Sequence, residues 1–277
     1  MKLKDNVIIF SDLDGTALGS NHEFSDFTKD IVKKVYEKNY YFIPVTARCT
    51  KDTFEQQSKY LELDKLNGIA AANNGTHIYD FKTKKWIKQE YISREVLKEI
   101  FEITFGKIGK YKVHFIGDDI YYVYGEGENS RYWSDVMKID YKVVESFEEI
   151  DKRINHITII LEKNTTENSI QEFYKDFFPI TNELDIIKYT DRVYELAIKG
   201  IHKGSVVKEI INHLGLDKSN TTTFGFGDSF NDFELAAQVD NFVAMENGLD
   251  ELKEKAAYVT KTNDENGVAE FIKENIL

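Results

Sequence analysis

Residues 7–16, VIIFSDLDGT, run from an apolar stretch of strand character into two aspartates spaced by one residue, Asp12 and Asp14, followed by Gly15 and Thr16. A buried strand does not ordinarily end by presenting two carboxylates at one point. Like charges a few ångströms apart repel by roughly 1 to 4 kcal/mol at effective dielectrics of about 80 to 20. The arrangement persists only with a cation or a proton to offset it. Asp12 and Asp14 therefore mark the start of a site.

Outward from this strand the sequence alternates strand and helix signals. Residues 25–39 carry Phe27, Ile31, Val32 and Val35 at helical spacing, residues 40–45 read as a second strand, residues 51–61 as a second helix and residues 68–72 as a third apolar strand. Strands separated by helices of this length form right-handed βαβ units around a parallel sheet. After about Tyr79 the pattern changes. Residues 85–92, 112–116, 120–124 and 141–144 alternate with period two, as in a sheet with one wet face, and helical patterns at 94–107 and 165–177 lie among them. Residues 154–161, 186–189 and 193–198 continue the strand pattern. Parallel-sheet grammar returns with an amphipathic helix at 203–214, a buried strand at 221–226, a helix start at 232–237 and a strand at 241–244. The predicted fold class is α/β: a doubly wound, Rossmann-like parallel-sheet core of residues 1–79 and 192–277, interrupted by an inserted α+β domain of residues 80–191.

The 277 residues carry 36 Lys and Arg against 48 Asp and Glu, a formal net charge of −12 with a pI near 5.1. That field repels nucleic acid and anionic membrane, and neither is expected as a partner. Small phosphate esters stay open, because one bound cation reverses the field inside a cleft. Cys49 is the single cysteine, so no internal disulfide can form, which fits a reducing compartment. No apolar window has the length of a signal peptide or a membrane span, and a cytoplasmic location is expected.

In an open α/β sheet, ligands bind at the carboxyl ends of the strands. The first strand ends at Asp12 and Asp14, the second in Val45-Thr46-Ala47-Arg48, and the strand at 221–226 runs into Gly227-Asp228-Ser229-Phe230-Asn231-Asp232, while Lys203 opens a helix. Carboxylates, a hydroxyl, an ammonium and an amide in one place suit phosphoryl chemistry on a divalent metal. Magnesium takes a near-octahedral oxygen shell from one or two carboxylates, waters and a substrate phosphate, and Asp12 and Asp228 can supply the carboxylates. A carboxylate can also attack phosphorus, dividing one hard step into two. A second carboxyl can protonate the leaving alcohol and then deprotonate water. A calcium loop, imitated by D-x-D with Glu23 at its twelfth position, is ruled out by Ala17 where that loop needs glycine.

DLDGT, a strand ending in threonine, a lysine opening a helix and GDSFND, in this order, resemble the haloacid dehalogenase-like phosphatases. Within them the chain looks like the Cof-type group, whose cap is inserted between the second and third motifs. Asn73-Asn74-Gly75, Ala244-Met245-Glu246-Asn247-Gly248 and Gly267-Val268-Ala269 stand where that group carries similar segments. The resemblance implies Asp12 as nucleophile and metal ligand, Asp14 as general acid/base with its backbone carbonyl on the metal, and Asp228 as a metal ligand. It places Thr46, Ala47, Arg48 and Lys203 at the phosphate, with Lys203 also paired to Asp12. Asn231 is directed to phosphate or a metal-bound water, and Asp232 supports the site. Two residues depart from the pattern: Ala47 replaces the usual glycine, and Gly248 stands where alanine is common.

The activity so implied is that of a Mg²⁺-dependent phosphatase of small phosphomonoesters, sugar phosphates favoured, working through an aspartyl-phosphate. The cap would close over the substrate and set specificity. The partner is a small phosphorylated metabolite, and no obligate protein partner is implied. Asp12 is expected to stay ionised for attack while Asp14 holds a proton for the leaving group. The alternatives are a phosphosugar mutase on the same fold, for whose second phosphate clamp only Arg131 and Arg153 are candidates, and a non-enzymatic binding protein.

Overall fold

The computed structural model describes residues 2–135 and 140–277. Its contacts divide the chain into two compact units, Met1–Gln89 with Ile201–Leu277, and Glu90–Gly200. The first unit opens with strands β1 (Asn6–Ser11), β2 (Tyr41–Pro44), β3 (Ile69–Ala72), β4 (His77–Asp80) and β5 (Lys85–Gln89). The second holds β6 (Tyr111–Gly117), β7 (Tyr121–Tyr124), β8 (Tyr141–Val143), β9 (Ile154–Leu161), β10 (Leu184–Lys188) and β11 (Val193–Ile198). The chain then returns to the first unit with β12 (Thr221–Gly227), β13 (Asn241–Met245) and β14 (Tyr258–Thr260).

In the first unit a five-stranded sheet runs in the order β14-β13-β12-β1-β2, and every pair in it is parallel. Helices cover both of its faces. Val7 and Ile9 point into one buried cluster with Ile31, Val32 and Val35, while Ile8 and Phe10 point into the other with Ile43, Val206 and Ile210. This double burial is why β1 is apolar at consecutive positions instead of alternate ones. The helix Asp26–Glu37 begins where the Ser25 hydroxyl accepts the Thr28 N–H at 3.0 Å, and it stops before Asn39, whose φ of 58° leaves the helical region. Because the strands are parallel, their carboxyl ends gather Asp12, Thr46 and Asp228 at one edge of the sheet.

The expected third strand does run parallel to the end of β2, but its regular pairing is with β4. β3 pairs antiparallel with β4 in the sheet β3-β4-β5, and it meets the chain just after β2 in the parallel sense, through the bridge Val45–Ala71 and the Thr46 N–H on the Ala71 carbonyl at 3.1 Å. Its four residues are buried throughout, and such a run does not announce which strands flank it.

The second unit is a six-stranded sheet in the order β10-β11-β9-β6-β7-β8, antiparallel except for the β7–β8 pair. Phe101 of the helix Arg94–Thr104 and Phe173 and Phe177 of the helix Glu167–Phe177 pack with Tyr111, Phe115, Ile157 and Tyr194 of the sheet. The Phe173 and Tyr194 rings lie 4.3 Å apart, centroid to centroid.

The boundaries expected at 79/80 and 191/192 move to 89/90 and 200/201. The alternating residues of β5 pair with β4, not with the insert, and β11 is hydrogen-bonded on both sides to β10 and β9. Among the described residues no helix is long and apolar enough to cross a membrane.

Candidate active site

β1 continues into the site through Asp12, whose N–H donates to the Phe226 carbonyl at 3.0 Å and so extends the pairing with β12 by one residue. The chain then turns sharply at Gly15, with φ of 73°. A Cβ there would stand 2.5 Å from Asp228 Oδ2, so the glycine is needed both for the backbone and for the approach of the two loops. Thr16 Oγ1 donates to Asp228 Oδ1 at 2.9 Å, and Asn247 Nδ2 donates to the Gly15 carbonyl at 2.8 Å.

Lys203 is buried with its ammonium between two carboxylates, 2.8 Å from Asp12 Oδ1 and 2.7 Å from Asp232 Oδ1. Asp232 Oδ2 accepts the backbone N–H groups of Asp228 and Ser229 at 3.0 and 3.1 Å. Both Asp232 oxygens are thus committed to holding Lys203 and the Asp228 loop. Burial would depress the Lys203 ammonium, but the charges of Asp12 and Asp232 outweigh it and raise its pKa. Lys203 is cationic throughout the physiological range.

The fit to a divalent metal rests on the donor set. Asp12, Asp228 and Asp232 each offer an oxygen within 4.8 Å of the others. Three carboxylates against one ammonium leave an excess of negative charge in a buried place. Burial first, and then the neighbouring carboxylates, push Asp12 up from 3.8 to about 8 despite Lys203. Burial and the charge of Asp232 lift Asp228 to about 6. Such shifts mark carboxylates that call for a cation, and a hard divalent ion suits an all-oxygen set. Asp12 and Asp228 are the pair best free to hold it, since Asp232 is otherwise engaged.

The Asp14 side chain stands apart from that cluster. Its carboxylate accepts Arg48 Nε on Oδ2 and Arg48 Nη2 on Oδ1, both at 2.6 Å, and His22 Nδ1–H on Oδ1 at 2.9 Å. Burial would raise this carboxyl, but the paired hydrogen bonds and charge of Arg48, with His22 behind them, hold it below the ordinary 3.8. In this metal-free arrangement the two acids are pushed in opposite directions: Arg48 and His22 favour the ionised form of Asp14, while burial and the neighbouring carboxylates favour the protonated form of Asp12. Arg48 also departs from expectation. Its third donor, Nη1, goes to Asp52 Oδ2 at 2.8 Å, so its guanidinium faces carboxylates and not an open phosphate position. His22 was invisible to the sequence reading, since only a turn eight residues downstream of Asp14 could have hinted at it.

Thr46 is buried at the end of β2, and its hydroxyl oxygen accepts the Arg48 N–H at 3.1 Å. The hydroxyl proton stays available to an acceptor. Ala47 has no left-handed φ, so its methyl replaces glycine without backbone strain. The loop Asn73-Asn74-Gly75 lies against this segment through Asn73 N–H to the Arg48 carbonyl and Asn74 N–H to the Thr46 carbonyl, both 2.9 Å. Asn74 Oδ1 in turn accepts Asn231 Nδ2 at 3.3 Å. Asn231 Oδ1 is buried and has no hydrogen-bond partner among the described residues, which leaves an acceptor for a water or a ligand donor. At Gly248 an added Cβ would come 2.9 Å from the Asp228 Cα, so the glycine lets the loop after β13 close on the Asp228 loop.

Residues 9–272 match the sequence profile of the haloacid dehalogenase-like hydrolases. A protein of Streptococcus pyogenes serotype M6, provisionally named a phosphatase, is 28% identical over 278 residues, covering 98% of each chain. A 5-amino-6-(5-phospho-D-ribitylamino)uracil phosphatase of Bacillus subtilis, YwtE, is 25% identical over 94% of this chain and 95% of its own. The solved structure of the HAD subclass IIB sugar phosphatase BT4131 superposes with a TM-score of 0.77 at 23% identity, covering 96% of this chain and 98% of that one, a likeness of fold. The chain belongs to the haloacid dehalogenase-like hydrolase family. It is an enzyme of the phosphatase class.

Proposed function

We propose that this enzyme hydrolyses small phosphomonoesters, sugar phosphates foremost, with Mg²⁺ as cofactor and an aspartyl-phosphate on Asp12 as intermediate. The observation that carries the reading is the buried Lys203 ammonium fixed between Asp12 and Asp232, with Asp228 an oxygen's reach away. Asp12 and Asp228, with the Asp14 carbonyl, would hold the Mg²⁺, which when bound would supply positive charge for the phosphate and favour the ionised form of Asp12. The ionised Asp12 attacks phosphorus as the bond to the leaving oxygen breaks. Lys203 and the Thr46 hydroxyl hold the phosphoryl oxygens through the charge build-up. Asp14 passes a proton to the leaving oxygen and later takes one from the water that cleaves the aspartyl-phosphate.

Asp14 must therefore cycle between its carboxylate and proton-bearing forms beside Arg48. The choice of sugar phosphates draws on the subclass to which BT4131 belongs, and the inserted unit of residues 90–200 is the proposed source of substrate selection. The mutase alternative would draw on Arg131 and Arg153, of which the Arg153 guanidinium is stacked 4.0 Å above the Tyr91 ring. Phosphate release from a panel of sugar phosphates, nucleotides and phosphoserine, with and without Mg²⁺, tests the proposal. Mg²⁺-dependent release that is abolished in Asp12→Asn supports it, and release that persists in that variant overturns the nucleophile.

A further inference from the structure

The Asp14 carboxylate is gripped asymmetrically. Arg48 binds both oxygens, but His22 adds a second bond to Oδ1 alone. A carboxylate offers about two lone-pair sites on each oxygen. Both sites of Oδ1 are thereby filled, while Oδ2 keeps one open. Arg48 by itself would leave the two oxygens equivalent, and the ring of His22 breaks that equivalence. We propose that His22 is a positioning residue for Asp14, fixing the rotamer of its carboxyl so that Oδ2 is the oxygen that exchanges a proton with the leaving group and with water. The inference rests on the phosphatase reading above.

Two observations set His22 apart from an incidental contact. The pair is exposed, 57% for His22 and 41% for Asp14, and exposed ion pairs contribute little to stability. Moreover, His22 has a left-handed φ of 62°, in a turn closed by His22 N–H to the Gly19 carbonyl at 2.8 Å and Gly19 N–H to the Glu23 carbonyl at 3.1 Å. Glycine would take this backbone without strain. What the histidine adds at this position is its ring, aimed at Asp14.

In the first step the Asp12–phosphorus bond forms, the phosphorus–oxygen bond to the leaving group breaks, and the proton on Asp14 Oδ2 goes to the departing oxygen. Misplacing that proton matters most when the leaving oxygen is basic. The test is kcat/KM, which reports the first phosphoryl transfer, for phenyl phosphate and p-nitrophenyl phosphate with Mg²⁺. His22→Gly is expected to lower the phenyl phosphate value more than the p-nitrophenyl phosphate value, by about tenfold, with a Tm unchanged or raised. His22→Asn, which places an N–H at the same δ position and tolerates the left-handed backbone, is expected to recover part of the difference. Equal loss on both esters, or no loss on either, overturns the role of His22 while leaving the phosphatase reading intact. A wild-type enzyme that releases phosphate from neither ester and from no member of the sugar phosphate panel overturns that reading and this proposal with it.

Discussion

Lys203 and Asp232 form an ion pair at 2.7 Å with neither side chain open to solvent. Asp12 shares the same ammonium at 2.8 Å, so one cation compensates two buried carboxylates. Removing one partner of a buried pair leaves uncompensated charge and costs about 3–5 kcal/mol. Lys203→Met should accordingly lower unfolding stability in urea by about that amount at neutral pH and abolish turnover. A variant as stable as the wild type would show that the carboxylates have another counter-charge.

Metal and pH should act together on stability. Asp12 titrates near 8 and Asp228 near 6 in the folded, metal-free site, both above the ordinary 3.8. A carboxyl raised on folding binds extra protons in the native state, so its stabilising contribution is complete below about pH 4 and is lost as pH rises through 6 to 8. Bound Mg²⁺ favours the ionised forms and offsets that loss. The Tm gain on adding Mg²⁺ to EDTA-treated protein should be larger at pH 8 than at pH 5.5. A gain that shrinks with rising pH would contradict the assignment.

Gly15→Ala combines a left-handed φ with a Cβ 2.5 Å from Asp228 Oδ2. The backbone cost alone is about 1–3 kcal/mol. Because the displaced atom is a proposed metal ligand, the variant should also need more Mg²⁺ for half-maximal activity. Thermal melting and a Mg²⁺ titration of the rate measure the two effects separately, and an unchanged titration would sink the link between this turn and the metal.

Phe173→Ala removes a fully buried ring that touches Tyr111, Phe177 and Tyr194 in the second unit. Deleting such a ring costs about 3–5 kcal/mol. Near-ultraviolet circular dichroism during urea unfolding should reveal the loss, since the tyrosines around the cavity report on it. A shift under about 1 kcal/mol would mean that the neighbours collapse into the space.

The residues at the strand ends were legible in the sequence for a physical reason. Asp12, Thr46 and Asp228 each follow an apolar run, and a parallel sheet brings such positions to one edge. The pairing of the buried run Ile69–Ala72 with β4 was not legible, and the alternation of residues 85–89 fitted an inserted sheet as well as the hairpin with β4 that it forms. The opposite shifts of the two acids in the metal-free site were not legible, because the deciding contacts are tertiary. Arg48 lies 34 residues from Asp14 and His22 lies 8 residues from it, and no single helix or strand joins either residue to Asp14 to announce the contact. The charge on Asp12 likewise depends on burial that a list of residues does not convey.

The register of β1 sets an order of assembly on the ribosome. Asn6 pairs with Thr221 and Ser11 with Phe226, so the strand that leads to Asp12 lacks one neighbour until more than two hundred further residues have been made. Residues 90–200 form one contiguous unit whose strands all lie within it, and can complete their hydrogen bonding during that wait. The loop at Gly15 is tied down later still, by Asn247 and by the Asn263 side chain on the Leu18 carbonyl. A nascent chain halted before residue 221 would thus carry Asp12 and Asp14 but neither Asp228 nor the strand that sets their geometry, and would be catalytically silent while half folded.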